Sequence, residues 1–220
     1  MPGEISLAHL GVLFLDELPE FPKSTLEILR QPMEDKKISL ARAGGTYSYP
    51  ADFMLAAAMN PCRCGYFPDR QKCRCTQKEV QQYLGKISRP LLERIDLCVE
   101  AAPVGYEELS DKAEGLSSAE MAVQVEKAVF MQRRRYTDTP FHFNSDLTPA
   151  AIKEFCPVNR DGEMLLKRVF EKLELSARSY YRIVKTARTI ADLEEKEIIE
   201  KKHIGEAVYY RSLDKKYWGR

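Results

Sequence analysis

The sequence has 220 residues, which is long enough to bury a hydrophobic core and predicts one or two domains. Charged residues make up 30% and hydrophobic residues 44% of the chain, and a net charge of +1 excludes a uniformly basic nucleic-acid binder. No apolar run reaches the length of a membrane span, and the first residues lack the features of a signal peptide. We therefore expect a cytoplasmic protein without a membrane partner, in which the six cysteines are reduced.

Three short apolar runs predict buried parallel strands. The first spans residues 11–17 and ends in Asp16 and Glu17, and the second spans residues 53–59 and is followed by Asn60. The third spans residues 95–100. Continuous apolar runs are typical of strands that are covered on both faces, so the first half of the chain predicts an open α/β sheet.

Between the first two strands the pattern predicts a helix and a hairpin. Residues 24–30 place Leu26 and Leu29 on one helical face. Two β-prone runs, residues 37–42 and 46–50, flank a Gly-Gly turn, which is typical of a β-hairpin.

The second half of the chain has a helical pattern. Ser117 and Glu120 have the spacing of a capping box, and Thr148 precedes a proline at a first helical position. We predict an all-α region with helices that cover residues 118–131, 149 onward, 162–173, 179–193 and 203–211. The predicted domains are residues 1–103 and 104–220, with residues 104–117 as the linker.

The acidic pair after the first strand has the chemistry of a nucleotide hydrolase. Asp16 would bind a magnesium ion, directly or through water, and Glu17 would polarise the attacking water. Carboxylates at the end of a rigid strand suit this role, because phosphoryl transfer depends on positioning and charge neutralisation. The alternative is a strand that runs into an acidic surface turn.

Six motifs in order carry a family resemblance. They are residues 3–21 (GEISLAHLGVLFLDELPEF), 29–35 (LRQPMED), 57–62 (AAMNPC), 90–97 (PLLERIDL), 175–180 (LSARSY) and 187–193 (ARTIADL). With them the chain resembles the magnesium-chelatase-like AAA+ ATPases of the ComM type over nearly its whole length. The resemblance implies a partial AAA+ P-loop-type parallel sheet core followed by a helical lid domain, with ATP and Mg²⁺ as cofactors.

The resemblance also implies roles for three further residues. Asn60 corresponds to the sensor-1 residue near the γ-phosphate, and Arg178 to the sensor-2 arginine of the lid. Arg94 corresponds to the arginine finger that reaches the nucleotide of a neighbouring subunit. The structural alternatives are a turn residue for Asn60 and a surface arginine for Arg178.

The identity of the finger stays open between two arginines. Arg89 stands where the family motif has glycine, and it adds a second cation close to Arg94. For Arg94 the alternative role is a structural salt bridge with Glu93 or Asp96.

The hairpin resembles the pre-sensor-1 hairpin of this ATPase group, which faces DNA in related ring helicases. That resemblance implies phosphate contacts by Lys36, Lys37 and Arg42. The alternative is that these side chains are only solvated.

Two C-x-C pairs form a candidate metal site. Cys62 and Cys64 are followed by Cys73 and Cys75, and four thiolates are the ligand set of a closed tetrahedral Zn²⁺ site. The alternative is a cluster of reduced thiols. Cys98 and Cys156 lie in apolar surroundings and are predicted to be core or boundary residues.

The resemblance implies a hexameric ring that remodels single-stranded or branched DNA, as a branch-migration helicase linked to natural transformation. Two alternatives remain: the ATPase subunit of a magnesium chelatase, and a non-catalytic, zinc-stabilised DNA-binding or ring-interaction module. The sequence contains no G-x-x-x-x-G-K-[ST] motif, which binds the nucleotide phosphates in such ATPases. We therefore expect this chain alone not to hydrolyse ATP, and its first half to be less stable than its second.

Overall fold

The computed structural model describes residues 3–42, 45–102, 104–106 and 115–218, except the side chains of Arg42, Asp214 and Lys215. These residues form two compact units, residues 3–95 with 214–218 and residues 96–213. Unit 1 contains α1 (Glu4–Leu7), β1 (Val12–Leu15), a 3₁₀ turn (Leu18–Glu20), α2 (Lys23–Ile28), α3 (Pro32–Asp35), β2 (Lys37–Arg42), β3 (Gly45–Pro50), β4 (Met54–Ala57), α4 (Gln77–Leu84) and α5 (Arg89–Leu92). Unit 2 contains α6 (Ser118–Arg135), a 3₁₀ turn (Asn144–Asp146), α7 (Pro149–Phe155), α8 (Arg160–Lys172), α9 (Ala177–Leu193) and most of α10 (Lys201–Trp218).

The first two predicted strands are confirmed and pair with each other, but the prediction that they are buried is wrong. Every residue of β1 and β4 is partly or mostly exposed, because a two-stranded sheet cannot cover both of its faces. β1 and β4 run parallel, in a register that sets Val12 opposite Met54 and Leu15 opposite Ala57. The predicted hairpin is also confirmed, since β2 and β3 pair antiparallel with Lys37 opposite Pro50. The predicted turn residues Ala43 and Gly44 lie outside the described residues.

The prediction of a third strand at residues 95–100 is wrong. Among the described residues this segment forms no ladder, and the backbone N–H of Cys98 instead donates to the carbonyl of Tyr210. A strand exists only where a neighbouring strand accepts and donates its backbone hydrogen bonds. An apolar run indicates that a segment suits a sheet, and it does not show that a partner strand lies beside it.

Unit 1 packs its helices against the 3₁₀ turn and α5. The prediction for α2 is confirmed, because Leu26 and Leu29 are both buried. They form a cluster of buried apolar residues with Leu18, Ile87, Leu91 and Leu92. The helices start as their sequences indicate: Thr76 and Glu79 form a capping box at α4, and the Ser88 hydroxyl accepts a hydrogen bond from the Leu91 amide at α5.

Unit 2 confirms the predicted helices and extends two of them. Ser117 and Glu120 form the predicted capping box of α6, and Thr148 caps α7. The structure continues α6 to Arg135 and α10 to Trp218. No glycine or proline occurs in residues 206–218, so nothing in that sequence breaks the last helix. Within the described part of the chain, no helix is apolar enough over a sufficient length to cross a bilayer.

The core of unit 2 contains a buried ionic network. Asp192 is fully buried on α9, and its carboxylate accepts hydrogen bonds from Arg135, Asn144 and Arg188. The guanidinium of Arg188, which is also fully buried, donates to the backbone carbonyls of Lys196 and Glu197. These bonds make the burial of charge tolerable, because each group is hydrogen-bonded as well as paired.

Candidate functional site

The predicted catalytic carboxylates and Asn60 lie at the same edge of the parallel sheet. Asp16 and Glu17 follow β1 directly, and Asn60 comes three residues after β4. Because β1 and β4 are parallel neighbours, their carboxyl ends meet at one edge. All three side chains are exposed, so this edge presents two carboxylates and an amide to solvent.

Backbone hydrogen bonds keep the two chain segments together beyond the strands. The amide of Ala58 donates to the Leu15 carbonyl over 2.9 Å, and the amide of Leu18 donates to the Ala58 carbonyl over 3.0 Å. Between these bonds Glu17 adopts a left-handed conformation with φ of 49°, and its amide donates to Asp16 Oδ1 over 2.9 Å. A non-glycine residue with positive φ is uncommon, and such strain concentrates at functional sites.

Arg94 is buried, with 9% of its surface exposed, and it forms an ion pair with Glu34. The Nη2 of Arg94 lies 2.6 Å from Glu34 Oε2, and the same guanidinium donates to the carbonyls of Arg30 and Pro90. The sequence did not indicate this partner, because the two residues are far apart along the chain. The structure therefore places the predicted finger in a buried, oriented ion pair.

Arg89 has a different environment from Arg94. Its Nε lies 3.0 Å from Glu93 Oε1, and 61% of its side chain is exposed. Asp96, which the sequence offered as a partner for Arg94, forms an ion pair with Arg182.

The remaining predicted site residues lie in three places. Arg178 is exposed in the first turn of α9, in unit 2. Lys36 precedes β2 with φ of 54° and pairs with Asp52 over 3.1 Å, while Lys37 is exposed at the start of β2. Arg42 ends β2, and its side chain lies outside the described residues.

The four loop cysteines converge as the sequence predicts. The Sγ atoms of Cys62, Cys64, Cys73 and Cys75 all lie within 4.8 Å of one another. Three of their separations are 3.4, 3.6 and 3.8 Å. A tetrahedral ion with metal–sulfur bonds of about 2.3 Å places its sulfur ligands about 3.8 Å apart. The four thiols therefore fit a Zn²⁺ ion, which four thiolates would hold as a closed structural site.

The loop supplies hydrogen bonds to the sulfurs and a turn that only glycine adopts easily. Gly65 has φ of 83°, and the amide of Phe67 donates to Cys62 Sγ over 3.4 Å. A backbone hydrogen bond at Tyr66 lowers the pKa of Cys64 to about 6, which favours its thiolate at neutral pH. Burial raises the pKa of the neighbouring Cys73 to about 11, so this thiol needs a cation to ionise readily.

The other two cysteines are not part of this cluster. Burial raises the pKa of the Cys156 thiol to about 11, and this side chain packs in the core of unit 2. Cys98 is partly buried.

Two features of the site were not indicated by the sequence. One is Glu34, which binds Arg94; its only signal is its place within the motif at residues 29–35. The other is the packing of Tyr217 and Trp218 against the cysteine loop and α4. No sequence signal links these residues to the loop, because the contact depends on how the chain folds back.

Comparison with protein-family models gives two matches that together cover most of the chain. The family described as magnesium chelatase, subunit ChlI, matches residues 1–109. The family described as magnesium chelatase, subunit ChlI C-terminal, matches residues 115–211.

Curated relatives from several bacteria match over nearly the whole chain. YifB of Escherichia coli is 40% identical over 97% of this chain, and the competence protein ComM of Haemophilus influenzae is 38% identical over 96%. Rv2897c of Mycobacterium tuberculosis is 38% identical over 87%. The aligned part is 42%, 41% and 38% of these relatives, respectively, so the chain spans less than half of their length.

The structure has a mixed α/β unit with a small parallel sheet, followed by a helical unit. This arrangement is consistent with a partial AAA+-like core and a helical region after it. The chain belongs to the ComM-type magnesium-chelatase-like family.

Proposed function

We propose that this chain supplies the Walker B, sensor and helical lid parts of a ring-forming AAA+ ATPase that remodels DNA. The observation that carries the proposal is the edge of the parallel sheet, where Asp16, Glu17 and Asn60 lie at the ends of adjacent strands. Asp16 would hold Mg²⁺, Glu17 would orient and polarise the attacking water, and Asn60 would hydrogen-bond near the γ-phosphate. Hydrolysis of ATP, bound with Mg²⁺, would transfer the γ-phosphoryl group to water and supply the free energy for DNA remodelling by the ring.

The arginines complete the proposed nucleotide site. Arg94 is the proposed finger in a neighbouring subunit's site, a role that requires its guanidinium to leave the buried pair with Glu34. The side chain of Arg89 is already exposed, and Arg89 is the alternative finger. Arg178, exposed in the first turn of α9, is the proposed sensor-2 residue. A finger that acts between subunits requires a head-to-tail assembly, and the one proposed here is a closed hexameric ring.

The hairpin of β2 and β3 is the proposed DNA contact. Residues 36–50 contain three cations, Lys36, Lys37 and Arg42, and no acidic residue. Lys37 is exposed at the start of β2, where it can reach a phosphate. The substrate is single-stranded or branched DNA, and the process is branch migration. The proposed link to natural transformation is supported by the name of the Haemophilus influenzae competence protein ComM.

Zinc is the proposed second metal. Cys62, Cys64, Cys73 and Cys75 would hold one ion and fix a loop that otherwise has no regular secondary structure. With four thiolates and no open position, such an ion has a structural role.

ATP hydrolysis tests the catalytic part of the proposal. The chain alone is expected to be inactive, whereas the chain joined behind a phosphate-binding-loop segment of the family should hydrolyse ATP with Mg²⁺. Glu17→Gln should lower kcat of the joined protein about 100-fold or more, because the attacking water loses its base. Glu20→Gln removes an exposed carboxylate three residues away and should leave the rate unchanged. Hydrolysis by the chain alone, or equal rates for the two variants, would contradict the assignment.

Salt-dependent DNA binding tests the hairpin. Anisotropy of a labelled single strand should show binding that weakens with salt, and Lys37→Ala should reduce the slope of log K against log salt by roughly 0.7, one phosphate contact. Lys153→Ala removes the same charge from an exposed position on α7 and should not change the slope. Equal slopes for both variants would exclude Lys37 from the interface.

Two other functions have support of their own. The description of both family models favours a magnesium chelatase ATPase subunit, which would copurify with a chelatase partner and would not act on branched DNA. The cysteine cluster favours a non-catalytic, zinc-stabilised module, whose DNA binding would not depend on nucleotide. The same DNA assay, repeated with and without ATP on the joined protein, separates these functions.

A further inference from the structure

The end of α10 packs against the cysteine loop within unit 1. The indole Nε1 of Trp218 donates to the carbonyl of Leu84, the last residue of α4, over 2.9 Å. The ring of Tyr217 meets the ring of Phe67 edge to face, with centroids 6.3 Å apart. These contacts join the last turn of the chain's final helix to a loop and a helix more than 130 residues earlier.

Phe67 belongs to the metal-site loop as well as to this contact. Its backbone amide donates to Cys62 Sγ, and it lies between Cys64 and Cys73 in the chain. One cluster of apolar contacts includes the cysteines, Phe67, the buried face of α4, Tyr217 and Trp218. A continuous set of contacts therefore leads from the sulfur atoms through Phe67 to the end of α10.

We propose that a metal ion bound by the four cysteines shapes the docking surface for the C-terminal end of α10, and that Phe67 connects the two. The proposal rests on the proposed zinc site and adds a role for it: the ion fixes Phe67 and thereby seats Tyr217 and Trp218. The occupant of the surface is this chain's own segment, residues 217–218, seated on it in the structure.

The physical reason is the lack of other constraints on the loop. Among residues 61–76 the structure has turns and bends but no helix or strand, so the ladder hydrogen bonds that hold other segments are missing here. Metal–thiolate bonds replace them, and in small sites of this kind the free energy of metal binding is free energy of folding. When the ion is removed, the loop gains conformational entropy, and Phe67 no longer presents a fixed surface.

Trp218 is the only tryptophan of the chain, so its fluorescence reports on the docked end of α10 alone. We expect zinc added to the metal-free 220-residue chain to shift the emission to shorter wavelength and to saturate at one ion per chain. A chelator should reverse the shift. The amount of zinc bound per chain is measured on the same samples with an assay that does not use thiol reagents. This measurement reports metal binding separately from docking.

Two adjacent aromatic residues provide the matched variants. Phe67→Ala keeps all four cysteines, so it should still bind one zinc ion but lose the zinc-dependent shift of Trp218. Tyr66→Ala removes an exposed ring next to it and should keep both properties. Cys73→Ser should lose both, and protected amides of α2, which lies in unit 1 but outside the cysteine cluster, show that unit 1 of each variant is folded.

The possible outcomes distinguish zinc binding by the four cysteines from docking of the end of α10. Failure of the unmodified chain to bind zinc overturns the metal site itself. Stoichiometric zinc binding with no change in Trp218 emission overturns the docking role and leaves the metal site standing. A full shift in Phe67→Ala shows that the ion acts on α10 by another route and overturns the role of Phe67.

Discussion

The two units bury their apolar residues in different ways. Unit 2 has one cluster in which residues from the loop after α6 and from α7, α8, α9 and α10 meet, and the ionic network around Asp192 lies beside it. Unit 1 divides its buried residues between two smaller clusters, one around Leu26 and one around the cysteines. Its parallel strands leave Val12, Phe14 and Met54 mostly exposed. A helix bundle buries its apolar stripes by itself, whereas a two-stranded sheet cannot cover both of its faces.

This difference predicts that unit 2 is the more stable unit and that unit 1 depends on a few local anchors. Hydrogen exchange reports the free energy of opening for each helix separately, so it can compare the units within one sample. Three sets of variants test whether the two units differ in stability in this way.

The largest effect is expected in unit 2 from Asp192→Ala. This change leaves the fully buried guanidinium of Arg188 and the partly buried one of Arg135 without their carboxylate, and breaking a buried ion pair costs about 3–5 kcal/mol. Amides of α9 should exchange correspondingly faster, while those of α4 should not change. Lys127→Ala breaks an exposed pair with Glu195 in the same unit and should cost about 0–1 kcal/mol. A cost below about 1 kcal/mol for Asp192→Ala would mean that apolar packing alone holds unit 2 together.

A smaller but more localised effect is expected in unit 1 from Leu26→Ala. Leu26 is fully buried on α2, and removal of such a side chain costs about 2–5 kcal/mol. Because unit 1 has little stability to lose, its amides should exchange near the rate of an unfolded chain while α9 stays protected. Ile28→Ala, on the exposed side of the same helix, should change stability by less than about 0.5 kcal/mol. Loss of protection in both units after Leu26→Ala would show that they unfold together.

The smallest effects are expected at the two capping boxes, which place the same chemistry in both units. Thr76→Ala at α4 and Ser117→Ala at α6 should each cost about 1 kcal/mol. Urea unfolding of each variant measures the cost. Ser118→Ala, one position inside α6, keeps the cap and serves as the control. A cost several-fold larger at one helix would show that its first turn holds more than the local cap.

The same boxes predict the direction of a pH dependence. Hydrogen bonds from the backbone amides of Thr76 and Ser117 lower the pKa values of Glu79 and Glu120. A carboxyl whose pKa is lower in the folded state contributes stability above its unfolded pKa and loses it as the pH falls through the folded value. NMR titration should show both lowered pKa values. Ser117→Ala removes the hydroxyl that donates to Glu120 and keeps the backbone amide, so it should return the pKa of Glu120 only part of the way to normal. A normal pKa for Glu120 in the unmodified chain would contradict the capping box.

Local sequence patterns predicted the structural elements that form through interactions between residues close together in the chain. The Ser117 and Thr148 caps, the Gly-Gly hairpin and the apolar face of α2 depend on residues within a few positions of each other, so sequence spacing is enough. The prediction of a third strand was wrong because a strand forms only where a neighbouring strand pairs with it. The pairs Arg94–Glu34 and Arg135–Asp192 could not be predicted either, since each joins residues about 60 positions apart.

The amino-acid sequence alone indicated the kinds of side chain that meet: carboxylates after one apolar strand, an amide after another, and four thiols with metal-ligand spacing. It also determined the family, through motifs that keep their order along the chain. The three-dimensional fold was needed to show that β1 and β4 are neighbours, that Arg94 binds Glu34, and that the end of α10 packs on the cysteine loop. The difference arises from the sequence separation of the interacting residues. Caps and turns form through bonds between near neighbours, whereas strand pairing, buried ion pairs and docking depend on distant segments that folding brings together.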